Sequence, residues 1–188
     1  MGSAVKLSGV GLTLAIGART ENGAATGING DQSISGVSNS GAAYVLAYRD
    51  ARWQREAYIK PRTNRSGDRF GTLLSISADG NTLAVSAPGD LTASTGINGN
   101  PDPRDDNWAF STGAVYMFTR RDGFWFQRAY IKPSNTDEYD YFARFSISLS
   151  ADGQTLAAGS TQEDSAATGI NGDQSDNSQA DSGAVYLY

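Results

Sequence analysis

The chain has 188 residues and a formal net charge of −5, with no cysteine and no histidine. Those absences exclude disulfide staples, thiolate ligands and nucleophiles, and remove the commonest general base and zinc ligand. The acidic balance disfavours a nucleic-acid backbone as partner. No apolar run approaches the roughly 18 residues of a membrane-spanning helix, so membrane insertion is not expected either.

Read along the chain, the same pattern comes three times. The stretch Val10 to Ala18 is apolar but broken by Gly11 and Gly17, and it aligns with later strands, so it reads as strand and not as a secretion signal. Leu14 to Ala18 leads into a polar loop holding Thr26-Gly27-Ile28-Asn29-Gly30, then a Gly41-Ala42-Ala43-Tyr44 strand, then Trp53 to Lys60, stopped by Pro61. In the second copy Thr72 to Ser77 is a first strand, and Ala78-Asp79-Gly80-Asn81 is a hairpin turn. Thr82 to Ala87 returns, and the loop Pro88 to Thr112 carries Thr95 to Gly99. Gly113 to Arg120 follows, then the turn Asp122-Gly123 and the strand Trp125 to Lys132 before Pro133. The third copy repeats Leu156 to Ser160, Thr168 to Gly172 and Gly183 to Tyr186.

The first two copies each predict a four-stranded antiparallel meander, and helical periodicity is lacking. Sheets repeated at this length and packed around an axis describe a β-propeller. The expected architecture is all-β, a single repeat domain over 4–188. Its blades are 4–68, 69–140 and 141–188, the last of three strands because no Trp-to-Lys strand follows Tyr188. Aligning Trp53 with Trp125 leaves Gln54 and Gln127 one residue out of step. Three blades leave apolar faces and a strand edge open, so a homo-oligomer or the remainder of a longer propeller is the expected partner.

Phe70-Gly71, Asp79-Gly80, Leu83-Ala84-Val85-Ser86-Ala87-Pro88 and Gly113-Ala114-Val115-Tyr116, in that order, resemble the FG-GAP repeat of integrin α subunits and secreted bacterial proteins. The resemblance covers nearly the whole chain, and departs where the third copy reads Phe142-Ala143-Arg144-Phe145. It implies a propeller, an extracellular or cell-surface setting, and a non-catalytic binding or adhesion role. In that family an acidic hairpin, Asp-x-Asp-x-Asp-Gly-x-x-Asp, often holds calcium. Only Asp79-Gly80 and Asp152-Gly153 match it. Serines 75, 77, 148 and 150 and leucines 83 and 156 stand where oxygen ligands are wanted, which favours plain turns.

Calcium has a second candidate place in the long loops. Asn29 and Asp31, and again Asn171 and Asp173, put oxygen-bearing side chains two residues apart, as calcium loops do. Glycine-supported turns whose Asn and Asp bond their own backbone give the same pattern. Trp108 beside Asp105 and Asp106 is unique to the second copy and suits sugar stacking with hydroxyl recognition, or a plug holding the loop down. A glycan-binding lectin and a purely structural assembly unit are thus the alternatives to a binding module. Asp137, Glu138 and Asp140, like Asp105 and Asp106, are acid groups in polar loops, where acids are ordinarily solvated. Arg62, Arg65, Asp68 and Arg69 read as a solvated connection. No nucleophile or phosphate-loop signature marks an enzyme.

Overall fold

The structure is a computed structural model and describes residues 2–99 and 111–188. The described regular structure is all β. The first sheet is formed by β1 (Ala4–Leu7), β2 (Thr13–Ala18), β3 (Ala42–Arg49) and β4 (Arg52–Ile59) in sequence order. The second follows with β5 (Leu74–Ile76), β6 (Thr82–Ala87), β7 (Ala114–Arg121) and β8 (Phe124–Ile131). The third has β9 (Ile147–Leu149), β10 (Leu156–Ser160) and β11 (Ala184–Leu187). Every pairing is antiparallel. Each of the expected strands of the second copy is present, Thr82–Ala87 with the same ends and the others with ends within two residues of the sequence reading. The glutamine mismatch resolves cleanly. Both long hairpins carry an irregularity at the same point, after Val45 and after Met117. Trp53 and Trp125 occupy the same place, so Gln54 corresponds to Phe126 and Arg55 to Gln127.

The sheets stack in series, because alternation along each strand gives every sheet two apolar faces. One face of the second sheet presents Leu83, Val85, Tyr116 and Phe118, and the first sheet covers it with Ala15, Ala43, Val45, Ala57 and Ile59. Its opposite face, with Ala84, Val115, Met117 and Ile131, is covered by Leu156, Ala158 and Tyr186 of the third sheet. β6 is consequently buried along its whole length. Rings reinforce the first contact: Phe70 meets Tyr116 and Phe118 edge-on, at centroid distances of 5.5 and 6.0 Å. Such pairs add about 0.5–1.5 kcal/mol beyond the area they bury. Glu56 on β4 ties the same two sheets together by accepting from Trp125 Nε1 at 2.8 Å and Arg120 Nη1 at 3.0 Å.

The Gly-Ala-x-Tyr and Phe-Gly signatures meet at these junctions. Phe70 N donates to the Ser40 carbonyl at 2.9 Å, and Phe142 N to that of Thr112 at 3.1 Å. Gly41 and Gly113 sit beside those phenylalanines at φ of +83° and +77°. A Cβ there would lie 2.0 and 2.2 Å from the Phe70 and Phe142 carbonyl oxygens, so only glycine lets the next sheet approach.

The two end sheets each keep one face open. Leu14, Ile16, Tyr44 and Leu46 correspond to the covered Leu83, Val85, Tyr116 and Phe118, yet they are only half-buried. Trp125 is 4% exposed, whereas Trp53 in the same place is 40% exposed. At the other end Val185 and Leu187, the counterparts of buried Val115 and Met117, are each 72% exposed. No strand pairing joins the third sheet back to the first, so the described residues form an open stack.

Candidate functional site

The Thr-Gly-Ile-Asn-Gly loops are clamps on the outer strands. In the first copy Asn29 N donates to the Tyr58 carbonyl at 2.7 Å, and Tyr58 N donates to Asn29 Oδ1 at 2.9 Å. Lys60 N donates to the Gly27 carbonyl at 2.9 Å and Gly27 N to that of Pro61 at 3.2 Å. The second copy repeats all four bonds between Gly96, Asn98, Tyr130, Lys132 and Pro133, at 2.7 to 3.0 Å. The end of the outer strand is thus held on both edges, by β3 or β7 on one side and by the loop on the other. The clamp needs left-handed backbone: Asn29 and Asn98 have φ of 57° and 56°. Asparagine tolerates that region best among residues with a side chain, and its amide also caps the strand.

The strand held in each clamp delivers a lysine into a buried polar socket. Lys60 Nζ donates to Glu21 Oε2 at 2.9 Å and to Ser40 Oγ at 2.7 Å, and Lys132 Nζ donates to Asp90 Oδ1 at 3.2 Å and to Thr112 Oγ1. Both lysine side chains are fully buried. Burial pulls each ammonium down, against the pull of its carboxylate partner. Burial alone would push the Asp90 carboxyl up, but the Lys132 ammonium and the bonds from Thr92 outweigh it and hold it below its usual value. Tyr130 Oη also donates to Asp90 Oδ1, at 3.0 Å. The serine or threonine is itself anchored: Thr112 Oγ1 donates to the Asp90 and Thr92 carbonyls at 2.9 and 3.0 Å.

Two acids of this layer differ from the sequence reading. Asp68 and Asp140, expected in solvated loops, are each 2% exposed. Asp68 Oδ2 accepts from Arg65 N at 2.9 Å and Asp140 Oδ2 from Asp137 N at 3.0 Å. Desolvation, reinforced by Asp90, pushes Asp68 up to about 8. Desolvation, with Asp137 and Glu163 nearby, pushes Asp140 up to about 7. Chain reversal between sheets carries these residues inward beneath the next strand, which composition alone does not reveal.

The third copy builds the same clamp and the same socket. Gly169 and Asn171 have φ of 78° and 57°. Gly172 packs on Ala167 and Thr168 as Gly30 packs on Ala25 and Thr26. Ser182 Oγ donates to the Glu163 and Ser165 carbonyls at 3.0 and 2.6 Å, matching Thr112. Glu163 is 2% exposed and its Oε1 accepts from Asn135 Nδ2 at 2.7 Å. No strand lies along the outer edge of β11 among the described residues, and no lysine reaches Glu163. A groove of about 780 Å³ runs there instead, between β11 and the Gly169–Gly172 loop, with Glu163 in its wall.

The residues expected to bind calcium take part in this arrangement differently. Asn29 is the clamp residue described above, whereas Asn171, equally exposed, holds no strand among the described residues. Asp31 Oδ1 accepts from Ser33 N at 2.9 Å and Asp173 Oδ1 from Ser175 N at 2.9 Å, each a local turn. Those serine bonds hold both carboxyls below the usual range. Asp79 and Asp152 likewise accept from Ser77 and Ser150 within their hairpins. Among the described residues no group of three or more acids is placed to hold a metal ion. Trp108, Asp105 and Asp106 lie outside the described residues. Sequence reasoning passed over Glu21, Asp90, Glu163 and the two lysines, although all recur at matching positions and carried that signal.

The chain matches no protein-family model and no curated protein among those compared.

Proposed function

We propose that this chain is a non-catalytic binding or adhesion module of propeller-type blades, completed by head-to-tail association with further copies of itself. The observation that carries the reading is the pair of open end faces. The half-buried Leu14, Ile16, Tyr44 and Leu46 with exposed Trp53 at one end repeat the face that the second sheet buries against the first. The exposed Val185 and Leu187 at the other end repeat the face that the second sheet buries against the third. Each end thus offers the half of an interface whose other half stands at the opposite end. Such a contact is heterologous, closing to a ring or running on as a filament. The FG-GAP resemblance supports the extracellular setting and the binding role.

Sedimentation of the chain and of its Trp53→Asp and Leu187→Asp variants tests this. The native chain is expected to rise with concentration to multiples of its 19.8 kDa mass, and both variants to stay at that mass. Both sites are exposed, so both variants are expected to fold, which a far-UV circular dichroism spectrum like that of the native chain checks. A native chain that stays monomeric at all concentrations refutes the association.

A further inference from the structure

We propose that β11 and the Gly169–Asn171 loop form an acceptor slot for an extended segment carrying Ala-Tyr-Ile-Lys-Pro, bound as a fourth strand. The slot rests on the reading of the third sheet as a blade equivalent to the other two. Its partner is defined by the two segments that occupy the same place within the chain, Ala57 to Pro61 and Ala129 to Pro133, which are identical. Strand addition of this kind draws affinity from main-chain hydrogen bonds and specificity from alternate side chains.

Each of those bonds has its counterpart ready. By the register of the first two sheets, the incoming tyrosine lies opposite Tyr186, the isoleucine opposite Val185 and the alanine opposite Leu187. The tyrosine ring would stack on Tyr186 as Tyr58 does on Tyr44 and Tyr130 on Tyr116, at 5.3 and 5.0 Å between centroids. Asn171 presents its N–H and Oδ1 to the tyrosine backbone, and Gly169 presents its carbonyl to the lysine and its N–H to the proline. None of these groups has a hydrogen-bond partner among the described residues. The loop's left-handed turns are already set, so little ordering remains to oppose binding.

Charge selects the lysine. Glu163 and Ser182 stand where Glu21 with Ser40 and Asp90 with Thr112 receive an ammonium. Glu163, Asp137 and Asp164 lie near enough to Asp140 to repel its charge, so the socket's surroundings are acidic. Among the described residues Glu163 accepts from Asn135 Nδ2, Asp137 from Asn177 Nδ2, Asp140 from Asp137 N and Asp164 from Asp181 N, all neutral donors. An incoming ammonium would supply the cation that the other two copies hold internally, and would draw Asp140 back down.

A fluorescein-labelled peptide of residues 53–62, titrated with the full chain and read by anisotropy, tests the slot. Saturable binding is expected, weakened at least about tenfold when the peptide's lysine becomes methionine. The Glu163→Gln and Asn171→Ala chains are expected to lose binding similarly. No binding, or equal binding of the native, methionine and scrambled peptides, overturns the proposal. The peptide-side substitution decides the matter even if a chain variant misfolds. Peptide binding by a chain that remains monomeric keeps the slot and sinks head-to-tail association, whereas an associating chain that ignores the peptide does the reverse.

Discussion

The loops Gly27–Asn29 and Gly96–Asn98 each close on a strand, whereas Gly169–Asn171 takes the same left-handed turns with no strand among the described residues between it and β11. The comparison teaches that the clamp is shaped by its own sequence. Glycine and asparagine accept positive φ, and the following glycine fits against the start of the loop in all three copies. The strand is held by a preformed site and does not mould it. The sockets behind the clamps say the same of charge. Asp90 is buried with Lys132, while Glu163 is buried with only a neutral amide donor.

The largest expected difference lies in those sockets. Lys132→Ala leaves Asp90 buried without its cation and should cost about 3–5 kcal/mol in denaturant unfolding. Glu163→Gln, which removes a buried acid that has no lysine, should be neutral or stabilising; a comparable loss there would erase the distinction between the copies.

Next comes pH. Asp68 and Asp140 titrate at about 8 and about 7 in the fold, above the roughly 3.9 of an unfolded aspartate. The folded state therefore binds more protons than the unfolded one, and stability falls as pH rises from about 4 to about 8. Asp68→Asn should flatten this slope, raising stability at pH 8.5 by an amount on the order of a few kcal/mol and changing little at pH 4.5. Thermal melts across that range read it, and an unaltered slope would show that Asp68 ionises normally.

The smallest effect separates the clamps themselves. Asn98→Ala loses the cap on Tyr130 N and should cost about 1 kcal/mol, by analogy with other side-chain caps. Asn171→Ala should stay within about 0.5 kcal/mol of the native chain.

Much of the fold was legible because the repeat placed strands and turns by analogy. Thr82–Ala87 agrees in both readings, and the Asp-Gly hairpins fall where the turn residues put them. Ring closure was not legible, since it depends on how sheets stack and not on strand pattern. The site was half visible. Asn29 and Asn98 stood out, but their oxygens bond strand amides 29 and 32 residues away, a distance no local motif encodes. Lys60 and Lys132 follow the apolar Ala-Tyr-Ile ends of their strands and would ordinarily reach solvent. Only the matched acids two strands earlier, Glu21 and Asp90, betray that they turn inward. Trp53 and Trp125 carried the same sequence signal and differ tenfold in exposure because a sheet covers only one of them.

Amide hydrogen exchange at the clamp glycines and asparagines tests the comparison most directly. Gly27, Asn29, Gly96 and Asn98 donate to strand carbonyls and should exchange slowly, while Gly169 and Asn171 should exchange at nearly unprotected rates and slow on addition of the 53–62 peptide. Protection of Gly169 and Asn171 equal to that of their counterparts in the dilute, peptide-free chain would contradict the account.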